Sequence, residues 1–393
     1  MSKDNPVEEK TPGGITGLIV HGFKCFATET YVKIRPLTIL AGANSSGKTS
    51  IMQPLLLMKQ TFESSFGARG VRLDGASVLY ESYAQITFRA PGCKTPDRLV
   101  FGFEHYGWGR QEWVVDLSGE EPALISPEGA FVTVGDNAVR RADAPCWTDI
   151  EEVLHVPGLR VPRLEDIPAR VYPRTTTGPL FKGTFTPYAA SVVLAWVSSG
   201  DTRLRTLNKQ LRGLGLSSEA TAVALGDTAV ELRVGRLTRD RRSGEPDLVN
   251  IADVGLGVSQ VLPVLVALLV AEPGRLVYLE QPELHLHPRA QHNLAEIIAE
   301  AAARGVRVVV ETHSDLLILG VQALVAEGRL DPSQVVLHWF ERDRDGVSHV
   351  TRAEPDESGR YGDWPEDFGA VGLEAQNRFF DAVVKRGTAA GDG

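Results

Sequence analysis

The chain has 393 residues, 43% hydrophobic and 23% charged, with a formal net charge of -9 at pH 7. That length holds two domains or one domain with a large insertion, and the composition is that of a folded globular protein. The acidic balance argues against a surface that coats nucleic acid regardless of sequence, while leaving room for a local basic patch.

The first fourteen residues, MSKDNPVEEKTPGG, are charged and lack the apolar core of a signal peptide. They and the closing GTAAGDG are expected to be disordered. From residue 15, the strand GLIVHGF precedes a second apolar run, VKIRPLTILAG, and a glycine loop then leads into the helical SIMQPLLLMKQTF. Over residues 61–249 the texture changes. RLVFGFEHY, QEWVVDLS and GAFVTVGD are rich in aromatic and β-branched residues and separated by Gly/Pro turns, with a helical DTRLRTLNKQLRGLG near the end. From residue 250 helices and strands alternate again. VLPVLVALLVA is too short to span a bilayer and reads as a buried helix. The strand RLVYLE, the helix RAQHNLAEIIAEAAAR stopped by Gly305, and the strand VRVVVE follow. The expected fold is therefore α/β: a mixed sheet with helices built from residues 15–60 and 250–340. A β-rich and helical lobe over 61–249 interrupts it, and a small segment over 341–393 follows.

Cys25, Cys93 and Cys146 are widely spaced with no C-x-x-C, which argues against a zinc site or disulfide framework and suits a reducing cytoplasm. The sharpest motif is GANSSGKT at residues 42–49, which fits G-x-x-x-x-G-K-[ST] between a strand and a helix. Gly42 and Gly47 let the chain curl so that the N–H groups of Ala43, Asn44, Ser45, Ser46 and Ser50 and their neighbours surround an anion. Lys48 adds charge at the β- and γ-phosphates, and Thr49 offers a hydroxyl to Mg²⁺. A nucleoside triphosphate, ATP with Mg²⁺, is the expected ligand. Glu280, closing the strand RLVYLE, stands where a second metal-facing group is wanted. The next position, Gln281, is where a hydrolytic site would use a carboxylate as base.

Three further pieces resemble ABC-type ATPases. DVGLGVSQVLPV resembles their signature motif, so Gly257, Ser259 and Gln260 would reach the nucleotide of a partner subunit. PELHLHP resembles the D-loop, and ETHSD the switch-histidine motif, placing His313 at the γ-phosphate. The chain thus resembles the RecF, SMC and OLD branch, most of all small prokaryotic AAA-labelled ATPases with EQPELHLHP, HVPGLRVPR, TFTPYAASVVLAW and a C-terminal DWPEDF. The resemblance implies a bilobed head that forms a head-to-tail homodimer around two ATP molecules. It also implies a role in anti-phage defence or DNA repair beside an effector protein. The Q-loop glutamine has no clear counterpart, Gln85 being a guess without a motif.

In that frame Glu280, Gln281 and His313 are the catalytic candidates, with Glu280 and Thr49 at the metal. Gln281 can orient water but cannot take a proton, so slow turnover is expected and ATP acts mainly as a clamp; Glu283 is a conceivable substitute base. The rivals are an ATP-sensing scaffold without turnover and, more remotely, an OLD-like nuclease using Asp343 and Asp345. The nuclease reading competes with a plain hairpin turn at DRDG. Arg239, Arg241 and Arg242, in an arginine-rich stretch at residues 233–244, are candidates for contact with a DNA backbone. Arg160 and Arg163 fit either a loop contact or buried ion pairs.

Overall fold

The apolar run LTILAG at Leu37–Gly42 is buried at every position, as a strand covered on both faces must be. It is the third strand of a six-stranded sheet. The order is Ser348–Ala353, Val335–Arg342, Leu37–Gly42, Arg307–Glu311, Leu276–Glu280 and Leu154–Val156. All neighbours are parallel except the Ser348–Ala353 edge, which pairs antiparallel with Val335–Arg342. The computed structural model describes residues 13–64, 70–125, 131–134, 137–140, 146–160, 167–168, 174–175, 178–227, 229–236, 247–362 and 378.

The two-residue alternation of these strands sorts their side chains into two cores. Leu276 and Tyr278 face one side, together with Leu40, Val309 and Phe340. There the helix Lys48–Glu63 is buried between this sheet and a second, antiparallel one. The second sheet runs Thr30–Lys33, Ile15–His21, Arg98–His105, Gly109–Asp116 and Ala123–Ile125. Val277 and Leu279 face the other side, with Leu37, Ile39, Val308 and Val310. The helices Leu256–Val270, Pro288–Ala303 and Asp315–Ala326 cover that face, and Ala189–Ser199 and Thr202–Gly213 join the same core.

The α/β fold with a mixed sheet is as expected, but the strands pair across the expected boundaries. Ile15–His21 pairs with Arg98–His105, which lies in the expected insertion. Leu154–Val156, also from the insertion, supplies one edge of the parallel sheet. Ser348–Ala353, beyond residue 340, supplies the other. Asp343 sits in the turn of that last hairpin. Its carboxylate accepts the backbone N–H groups of Asp345 and Val347 and meets His349 at 2.8 Å. This is hairpin chemistry, and among the described residues no group of three or more His, Cys, Asp and Glu is placed to hold a metal. Among the described residues no helix is long and apolar enough to cross a membrane. Arg163, the arginines 239, 241 and 242, and DWPEDF lie outside the described residues.

Candidate nucleotide-binding site

The parallel strand Leu37–Gly42 ends where its backbone must pass under Phe340. Gly42 has φ +140°, and a Cβ there would lie 2.2 Å from the Phe340 carbonyl oxygen. At the other end of the loop Gly47 has φ +109°, with Ser348 Oγ and Cys25 Sγ at 2.8 and 2.9 Å from a would-be Cβ. Only glycine fits either place. Ser348 Oγ also donates to the Ser46 carbonyl at 2.6 Å, tying the loop to the edge hairpin. Lys48 opens the helix Lys48–Glu63, which has no side-chain cap, so the first N–H groups stay available for an anion. The Lys48 ammonium is wrapped by the loop itself, donating to the carbonyls of Gly42 at 2.9 Å and Ala43 at 2.7 Å. Burial lowers its pKa, with Glu311 opposing the shift.

The loop faces a cavity of about 700 Å³, lined by residues 44–50, Gln281, Glu311 and His313. That volume lies within the roughly 300–1,000 Å³ of ligand pockets. The phosphate loop, Gln281 and His313 are therefore together, at the carboxyl ends of neighbouring parallel strands, where open α/β sheets bind ligands. Lys24, Cys25, Ala84, Gln85, Thr87, Arg89 and Arg342 complete the lining. Gln85, without a motif in sequence, ends the short 3₁₀ turn Tyr83–Gln85 at the cavity wall.

Glu280 departs from expectation. It was expected at the metal, yet its carboxylate is absent from the cavity lining. Oε1 meets His155 Nε2 at 2.8 Å, and Oε2 accepts the Gly158 N–H at 2.9 Å. The cause is the edge strand Leu154–Val156, which runs alongside Leu276–Glu280 and brings the segment HVPGLR under its end. Burial opposes the charge of Glu280, but His155, Gly158 and Arg160 outweigh it and hold the carboxyl below its usual range.

Glu311, directly opposite Glu280 on the adjacent strand, lines the cavity instead. Its Oε1 accepts from Thr49 Oγ1 and its Oε2 from the Tyr278 hydroxyl, both at 2.8 Å. Burial pushes its pKa up and Glu280 adds to this, while Tyr278, Thr49 and Lys48 pull the other way.

Gln281 has φ +43°, uncommon for a residue with a side chain. Its N–H donates to the Glu311 carbonyl at 2.7 Å, and its carbonyl accepts from Arg160 at 2.7 Å. Arg160 is thus a buried clamp on the backbone of this turn. His313 lines the cavity, with its pKa lowered first by burial and then by Lys48. Glu283 is neither at the cavity nor on the outside. It is buried, accepting from Thr312 Oγ1 at 2.7 Å and the His313 N–H at 2.9 Å, and it shapes the histidine loop. Burial raises its pKa.

The signature residues are more buried than the motif suggests. The helix starts at Leu256, so Ser259 lies a turn inside it and is only 4% exposed. Its hydroxyl donates back to the Leu256 carbonyl at 3.1 Å, and the Gln260 amide donates to the Arg160 carbonyl. Gly257 is half-buried, and a Cβ there would stand 3.1 Å from the His285 carbonyl. What the segment presents outward is the helix N-terminus: Asp253, Gly255 and Leu256, the last 47% exposed.

A family described as "AAA domain, putative AbiEii toxin, Type IV TA system" matches residues 198–319. Among solved structures, an SMC head bound to the C-winged helix domain of ScpA is 13% identical with a TM-score of 0.58, covering 88% of this chain and 99% of that one. An Smc head domain with an extended coiled coil from Pyrococcus furiosus, bound to the C-terminal domain of ScpA, is 11% identical with a TM-score of 0.51. It covers 94% of this chain and 99% of that one. An Smc head domain with a coiled coil and joint from Pyrococcus yayanosii is 10% identical, again with a TM-score of 0.51, over 88% of this chain and 98% of that one. At such identities the likeness is one of fold. No curated protein matches the chain. The chain thus has the fold of SMC heads, and its 198–319 segment is similar to the AAA family named above.

Proposed function

We propose that the chain binds ATP with Mg²⁺, closes as a head-to-tail homodimer around two nucleotides, hydrolyses them slowly, and so serves as a switch or clamp. One observation carries the closure. The cavity holds the phosphate loop, Gln281 and His313, but among its lining residues none comes from 252–260. The N-terminus of the Leu256–Val270 helix, a natural anion partner, stands exposed instead. A second copy brings that terminus to the nucleotide. With ATP and Mg²⁺ the protein should shift from monomer to dimer in analytical ultracentrifugation. Leu256→Arg, on the exposed surface, should abolish the shift while leaving ATP binding intact. A variant that dimerises as wild type does would refute the head-to-tail arrangement.

The rival, an ATP-sensing scaffold without turnover, is favoured by Gln281 alone; single-turnover hydrolysis separates the two. Work beside an effector in anti-phage defence or DNA repair follows from the family resemblance. A DNA contact through Arg239, Arg241 and Arg242 rests on the charge pattern of the sequence.

A further inference from the structure

We infer that Glu311, not Glu280, is the carboxylate that faces the divalent cation of the bound nucleotide, and that Tyr278 positions it. The inference rests on the Mg²⁺–ATP reading above.

The donor set fits such an ion. Mg²⁺ beside a triphosphate takes hard oxygens: phosphate oxygens, waters and one or two protein groups. Thr49 and Glu311 supply a hydroxyl and a carboxylate 2.8 Å apart on the cavity wall. In this contact the Thr49 hydroxyl donates its proton to Glu311, so a lone pair on the same oxygen stays free to face a cation. One residue thereby joins metal and carboxylate without rearrangement. The second oxygen of Glu311 is held by the Tyr278 hydroxyl, whose ring stacks on His155 at 5.2 Å with a 12° tilt. Both oxygens of Glu280, by contrast, are taken by His155 and the Gly158 N–H, on the side of the Leu154–Val156 edge strand. Releasing them would leave a buried histidine and a partly buried N–H without their acceptor.

The test is nucleotide binding with and without Mg²⁺, read with a fluorescent, non-hydrolysable ATP analogue, plus Mn²⁺ electron paramagnetic resonance on the ternary complex. Without metal, wild type and Glu311→Gln should bind the analogue alike. Glu311→Gln should then lose the affinity gained from Mg²⁺, roughly 10–100-fold, and lose bound Mn²⁺. Glu311→Asp, which keeps the charge, should retain more of that gain than Glu311→Gln. Tyr278→Phe should lose a smaller part, and Glu280→Gln should keep it. Should Glu280→Gln fold poorly by circular dichroism, the Glu311 pair and Tyr278→Phe decide alone. A Glu311→Gln protein with the full Mg²⁺ gain and bound Mn²⁺ overturns the assignment while leaving the nucleotide site standing. A wild type that binds no nucleotide overturns both.

Discussion

Arg160 holds Gln281 by its main chain: one guanidinium nitrogen donates to the Gln281 carbonyl at 2.7 Å and to the Glu280 carbonyl at 3.2 Å. The two elements are 121 residues apart. Arg160 is buried, and burial draws its pKa down to about 10, with Glu283 and Glu280 opposing the shift. A charge placed there against the cost of desolvation has a job, and the job visible is to keep Gln281 in its left-handed backbone conformation.

Arg160→Met preserves volume but removes the donors. The carbonyls of Glu280 and Gln281 then lose a partner in a buried place, which costs about 1–3 kcal/mol. Urea unfolding should show that loss. ATP turnover should fall more than ATP affinity does, because the phosphate loop does not touch Arg160. Unchanged turnover in a destabilised variant would make Arg160 a purely structural clamp.

A second consequence concerns pH. His338 is buried in the strand Val335–Arg342, with Nε2 2.8 Å from the Lys33 carbonyl and Nδ1 without a partner among the described residues. Burial lowers its pKa to about 4, the Lys33 carbonyl and Glu354 working against the shift and Arg352 and Arg35 with it. Between pH 6.5 and about 4 the unfolded chain binds a proton that the folded chain does not, so stability falls as pH falls through that window. The full contribution, at most about 3 kcal/mol, is present above pH 6.5. Urea unfolding at pH 7, 6, 5 and 4.5 should show this slope, and His338→Gln should flatten it. An identical slope in the variant would assign the pH dependence to other groups.

These features differ in how far the sequence could reveal them. GANSSGKT is contiguous, and its glycines, lysine and threonine carry their roles within eight positions. The strand context was equally legible, because short, largely apolar and β-branched runs such as LTILAG and the VVV of RVVVE suit buried strands in a sheet covered by helices. The contacts of Glu280 were not legible because its surroundings depend on lateral pairing. Nothing near residue 280 indicates that Leu154–Val156 will lie beside it and deliver His155 and Gly158. The burial of Ser259 was hidden on a smaller scale: one helical turn separates an exposed signature residue from a buried one, and the helix start sets which it is. Lys24, Gln85 with Arg89, and Arg342 reach the cavity from three separate segments, each without a motif. Pairing across distant segments is what local patterns lack.

The last prediction concerns Gln281 itself. Its side chain lines the cavity, at a backbone φ of +43° held by Arg160 and by the Glu311 carbonyl. The amide can orient a water but cannot accept its proton, so the missing element is a base and not a place for one. Neither neighbouring carboxylate fills the gap. Glu283 is buried against Thr312 and His313, and Glu280 is held by His155 and Gly158. Gln281→Glu keeps the size and the backbone contacts, so ATP affinity should change little. Turnover should rise, by up to the roughly 10²–10⁴ that general acid–base catalysis supplies. His313→Ala should lower turnover in both backgrounds, since the imidazole lines the same cavity as Lys48. Steady-state ATPase assays from pH 8 down to about 5 would show the gain fading as the carboxylate begins to protonate. A wild type that turns over briskly, with Gln281→Glu no faster, would mean that a base already operates. Glu311 would then be the one to test, because it is the only carboxylate among the described residues lining the cavity.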